Sequence, residues 1–181
     1  MMRKNDVAQC IHNIYLECCR DLFQSLNCNT RVIDGKSFNL DESPIACIDA
    51  GSEDIEFMIA LQLPIQVLAL TYPVAEVITT VEENLLEDWL SELSNQLIGR
   101  LKSKLIEHDC SVNIGLPQSY FGAQVDELLA NNSEQEDYYL DVDKEVCRCS
   151  IAIEVFDEAM TFSLEKNKDI DIQGEGELEI F

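Results

Sequence analysis

The sequence predicts an α+β domain in which an antiparallel β-sheet carries one long helix and a second helix packed on it. Three observations predict it. Apolar residues recur at helical spacing over residues 6–26 and again over 80–108, where no proline interrupts the pattern. Two apolar stretches, IACIDA at 45–50 and IEFMIALQL at 55–63, flank the turn residues Gly51-Ser52-Glu53-Asp54, as in an antiparallel hairpin. A second strand pair, YYLDVD and VCRCSIAIEVF, follows at about 138–143 and 145–156. At 181 residues, 46% of them apolar, the chain is long enough to bury a real core. Residues 1–165 are read as a single domain.

In chain order, Val7, Ile11, Ile14, Cys18, Leu22 and Leu26 mark the first helix, with Asp6 as its N-cap and His12 and Asn13 on its polar face. Arg31 to Asn39 is expected to be a short strand turning at Asp34-Gly35. Pro64 suits the start of a short helix, IQVLALTY, because its missing N–H is not needed there. Thr80 with Glu83 three residues later forms a capping box that opens the long helix. Running to His108, it would span roughly 43 Å, enough to cross the sheet. On it, Leu86, Leu90, Leu93, Leu97 and Leu101 fall in one narrow sector that must face the core. Asp88, Glu92, Asn95, Gly99 and Lys102 fall on the opposite side. Residues 131–137 (NNSEQED) are expected to be an exposed loop. For the acidic segment 166–181 two readings stand, an edge strand or a disordered tail.

Charge narrows the function. With 35 acidic against 12 basic side chains the net charge is -23, which repels phosphate backbones and anionic lipid headgroups. A cationic patch on another protein is a more natural partner than nucleic acid or membrane, and acidity for solubility alone is the alternative reading. Arg3 and Lys4 are followed by Asn5 and Asp6 rather than by an apolar run, so no targeting signal is expected and the protein is read as cytoplasmic. The eight cysteines lie inside patterned segments and are read as reduced core thiols. Cys147 and Cys149 share one face of a strand, and His12 and His108 are the only histidines, so no metal site is expected.

Gly99 is the odd residue. A glycine on the outer side of a helix costs about 1 kcal/mol relative to alanine and adds nothing to the core. A bare backbone spot beside Glu92 and Asn95 would let a partner approach closely. The order Asp88, three residues, Glu92, two residues, Asn95, with Pro117 of PQSYFG 22 positions further on, resembles the signature of the CheC/CheX/FliY family of chemotaxis phosphatases. The preceding hairpin belongs to the same resemblance, which covers roughly residues 6–156.

That resemblance implies hydrolysis of the aspartyl phosphate of a CheY-type response regulator. Asn95 would position the attacking water, and Glu92 would anchor the regulator's phosphate-site lysine. Asp88, Gly99 and Lys102 would complete the docking face. Mg²⁺ would belong to the partner regulator, with no cofactor bound by this chain. The residue types suit this chemistry, because positions i and i+3 on a helix lie about 5–6 Å apart and a carboxamide offers both donor and acceptor without titrating. On the first helix Glu17 is followed three residues later by Arg20, not asparagine, so one site per chain is expected, as in the CheX-like branch, whose members suggest a homodimer. Two rivals are a non-catalytic module of the same fold that binds a receiver domain or flagellar component, and a thiol sensor built on Cys18-Cys19 or Cys147/Cys149.

Overall fold

A computed structural model describes residues 4–34, 38, 40, 43–73, 83–129, 134–156 and 162–163. Helix α1 (Lys4–Ser25) is followed by strands β1 (Thr30–Ile33), β2 (Ile45–Gly51) and β3 (Ile55–Gln62), then by helices α2 (Ile65–Thr71) and α3 (Glu83–Ile106). Strands β4 (Asn113–Ile114) and β5 (Gln118–Tyr120), helix α4 (Val125–Leu129), and strands β6 (Glu134–Val142) and β7 (Glu145–Val155) complete it. Among the described residues the strands form one antiparallel sheet in the order β1-β6-β7-β3-β2, and the outer edge of β2 carries both β4 and β5.

The strand register sorts residues cleanly onto two faces, because side chains alternate along each strand. Ile48, Ile59 and Ile151 stand in one cross-strand row and are buried beneath the helices. The next row, Cys47, Ala60, Ser150 and Asp137, points the other way. There the small residues leave room for α4, whose Val125 and Leu129 pack over Ile45, Cys47, Ala60 and Ala152. Helices α1 and α3 lie side by side on the first face, α1 over β7 and α3 over β2. Tyr15, fully buried on α1, donates a 3.0 Å hydrogen bond to the carbonyl of Ser150 and so pins the helix to the sheet.

Several expectations need correction. Asp6 is not an N-cap: the helix already includes Lys4, and Asp6 sits in its first turn, where a carboxylate complements the helix dipole. His12 is not on the polar face but 3% exposed, because α1 contacts both α3 and the sheet and therefore buries a wider arc than a one-sided helix would. Residues 134–137 are strand, not loop. Asp137 finds partners on the neighbouring strand, accepting from Arg148 (2.7 Å) and Ser150 (2.6 Å), and Arg148 also pairs with Asp126 at the start of α4. Burial pushes the Asp137 carboxyl up, but these donors outweigh it and hold it below the ordinary carboxylate value. The turn at Gly35, the capping residue Thr80 and the segment 166–181 lie outside the described residues.

All eight cysteines are free, and all but Cys10 are buried. Burial pushes the thiols of Cys18 and Cys47 up to about 12 and those of Cys28 and Cys110 up to about 11, which suppresses the reactive thiolate. Among the described residues no helix is long and apolar enough to cross a membrane.

Leu97, fully buried between α3 and the sheet, is a sensitive test of this packing. Leu97→Ala should lower the unfolding free energy by about 2–5 kcal/mol, read as a lower urea midpoint. A change of a few tenths of a kcal/mol would show that α3 does not seat as described.

Candidate functional site

The site is built on α3, 24 residues and about 36 Å long. Leu90, Leu93, Leu97, Leu101 and Leu105 are fully buried, and Leu86 and Ile98 nearly so, so the apolar arc fixes the helix's rotation against the sheet. What faces away follows from that rotation. Asp88, Glu92 and Asn95 are exposed on the outer side, and Gly99 and Lys102 continue the row, half-buried. A methyl group added at Gly99 would meet nothing within 4 Å, so no packing demand explains this glycine. Glu92 and Asn95, one helical turn apart, form a carboxylate–carboxamide pair open to solvent. Gln96 donates a 3.0 Å hydrogen bond to Glu92 Oε1, steadying the carboxylate while leaving its other oxygen available.

Neighbouring elements clamp α3 on three sides. Toward α1, Lys104 pairs with Asp21 (2.7 Å) and Glu17 (3.1 Å), and Arg100 donates to the Ser25 hydroxyl (2.9 Å). Toward α2, the buried Trp89 indole N–H donates to Thr71 Oγ1 (2.9 Å), and its ring meets Tyr72 edge-on with centroids 6.0 Å apart. Toward the sheet edge, Ser91 and Ser119 share a 2.7 Å hydroxyl–hydroxyl bond that ties α3 to β5. Pro117 precedes β5. Lacking an N–H, it breaks the ladder along β2, and Gly115 bridges the gap by donating to the Asp49 carbonyl (2.8 Å). A Cβ on Gly115 would fall within 2.7 Å of both carboxylate oxygens of the exposed Asp49 side chain, which would have to turn away to admit it.

Sequence reasoning missed Ser91 and Gln96. Gln96 was detectable, since it stands four residues beyond Glu92 on the same helix. Ser91 was not, because its partner on β5 is 28 residues away and only the fold brings them together. The first helix offers no matching pair at Glu17, whose carboxylate is engaged by Lys104. Among the described residues no cluster of three or more His, Cys, Asp or Glu side chains has the arrangement of a metal site.

Helices α1 and α3 thus share one face of the antiparallel sheet, with α3 over the outer strand of the β2–β3 hairpin and the short α4 on the opposite face. No protein-family model and no curated protein matches the chain, but solved structures share its fold. CheX from Vibrio vulnificus superposes with a TM-score of 0.64 at 10% identity, over 80% of this chain and 96% of that one. A CheC-like superfamily protein from Shewanella sp. PV-4 gives 0.59 at 12%, over 80% and 97%. CheX from Borrelia burgdorferi, solved as a complex with CheY, BeF3 and Mg²⁺, gives 0.55 at 15%, over 77% and 97%. The chain thus shares the fold of these CheX and CheC-like structures.

Because nothing packs on Gly99, Gly99→Ala should stabilise the folded protein by about 1 kcal/mol through helix propensity alone. A higher urea midpoint checks this; a loss of stability would mean that the spot is filled.

Proposed function

We propose that the protein hydrolyses the aspartyl phosphate of a CheY-type response regulator, with the outer row of α3 as its working surface. The observation that carries this reading is the exposed pair Glu92 and Asn95 beside the unexplained bare backbone at Gly99. A fold shared with a CheX solved in complex with CheY supports it further.

The chemistry asks little of this chain. An aspartyl phosphate is an activated anhydride, and phosphoryl transfer depends chiefly on placing an in-line nucleophile and balancing charge. Asn95 accepts a hydrogen bond from a water and directs that water's oxygen at phosphorus opposite the aspartyl oxygen. The new P–O bond forms as the aspartyl P–O bond breaks. Inorganic phosphate leaves, the regulator's carboxylate is restored, and the water's surplus proton passes to solvent or phosphate. Glu92, its carboxylate steadied by Gln96, pairs with the regulator's phosphate-site lysine and acts as an anchor rather than a base. Asp88 and Lys102 flank the contact, and Gly99 lets the partner's backbone approach. Mg²⁺ belongs to the regulator in this scheme, and the working unit is a cytoplasmic homodimer.

Phosphate release from a phosphorylated receiver domain of the same organism tests the proposal. The wild-type protein should accelerate release, and Asn95→Ala should remove on the order of 10²-fold of that acceleration while leaving the fold unchanged. Equal acceleration by Asn95→Ala would exclude the role given to it. Receiver binding with no acceleration by the wild type would make this a binding module instead.

A further inference from the structure

Helix α2 is amphipathic in an unusual sense. Val67, Leu68 and Thr71 are buried, yet three of the four residues on its exposed arc are also apolar: Ile65 (51% exposed), Ala69 and Leu70 (58%), with Gln66 between them. The hydrogen bond from Trp89 to Thr71 brings the last turn of α2 against the first turns of α3. There Leu85, another exposed leucine (39%), begins the same outward row that continues through Asp88, Glu92 and Gly99. Leu85 precedes Glu92 by seven residues, two helical turns, so the two share one side of the rod. Neither α2 nor Leu85 gains stability from this exposure. Exposed apolar side chains bordered by polar groups, here Gln66, Asp88 and Glu92, mark interaction sites in soluble proteins.

We propose that the outer arc of α2 and Leu85 form an apolar shelf that docks the receiver domain, seating an apolar strip of its surface beside the lysine that Glu92 takes. The occupant follows from what adjoins the shelf. Asp88 and Glu92 set a negative potential along its border, so the complementary partner presents a basic group next to apolar side chains. Arg100 and Lys104 are turned to α1 and engaged there, and Lys102 stands at the far end of the row, ten residues beyond Glu92, so the border beside the shelf stays acidic. The shelf supplies affinity and register, and the Glu92–Asn95 pair supplies orientation and chemistry. Shelf and catalytic pair are therefore separable, and this inference rests on the functional reading above.

Two measurements separate them. A receiver domain activated with beryllofluoride and Mg²⁺ is titrated with wild-type protein, Leu70→Asp, Leu85→Asp and Asn95→Ala, following binding by fluorescence anisotropy. Phosphate release at saturating receiver is measured in parallel. Leu70→Asp and Leu85→Asp should each weaken binding about tenfold, raising KM while kcat at saturation changes less than twofold. Asn95→Ala should lower kcat with little change in binding. Both leucines are exposed, so the aspartate variants should keep the wild-type melting profile, and Leu70→Met should keep wild-type affinity. Wild-type affinity in both aspartate variants would overturn the shelf while leaving the phosphatase reading intact. Failure of the wild-type protein to bind any activated receiver would overturn both.

Discussion

Everything the site does depends on how α3 is rotated about its own axis. Five leucines along one arc are wholly removed from water, and each would lose about 2–5 kcal/mol of packing if truncated. Rolling the helix by one residue, 100°, would expose several of them at once, so the seam fixes the phase far more firmly than any single hydrogen bond. With the phase fixed, the direction of Glu92 and Asn95 is no longer free: they point outward because Leu90, Leu93 and Leu97 point inward. A carboxylate and a carboxamide on a rigid element, positioned by the core beneath them, are preorganised without contacts of their own to neighbouring elements.

The surroundings refine that placement. Lys104 and Arg100 bind α3 to α1, Trp89 binds it to α2, and Ser91 binds it to β5, so the helix is restrained along both flanks. These contacts also shape the field. Lys104 is drawn sideways into ion pairs and Arg100 into a hydrogen bond with Ser25, while Asp88 and Glu92 stay outward with Lys102 at the far end of the row, giving the row a negative bias on a chain whose net charge is already -23. Such a field speeds encounter with a basic docking face more than it strengthens the final complex.

How much of this was legible beforehand varies with the physics involved. The phase of α3, the 45–62 hairpin and the outward row could be read because helix and strand periods are local properties of the chain. The burial of His12 could not, since it depends on α1 being covered from two sides. The strand character of residues 134–137 was hidden for a similar reason: Asp137 looks like a loop residue until Arg148 and Ser150 of the neighbouring strand donate to it, and Gln135 until Asp126 of α4 comes within reach. The sharing of one edge of β2 by two short strands, with Gly115 and Pro117 between, is likewise a tertiary arrangement that no local pattern announces. Within the candidate site the outward placement of Glu92 and Asn95 followed from spacing, whereas the Ser91–Ser119 tether and the apolar exposure of α2 needed the fold.

The central claim is that the Glu92 carboxylate lies against a lysine of the receiver. Zero-length carbodiimide coupling joins a carboxylate to an amine only when the two are in contact, and it can be mapped by peptide mass spectrometry. With 35 acidic residues on the chain, the position of the link is discriminating. The account predicts that activated receiver couples through Glu92 to the lysine beside its phosphorylated aspartate, and that Glu92→Gln abolishes this product. Coupling confined to carboxylates away from α3, with Glu92 unmodified in a complex that forms normally, would contradict it.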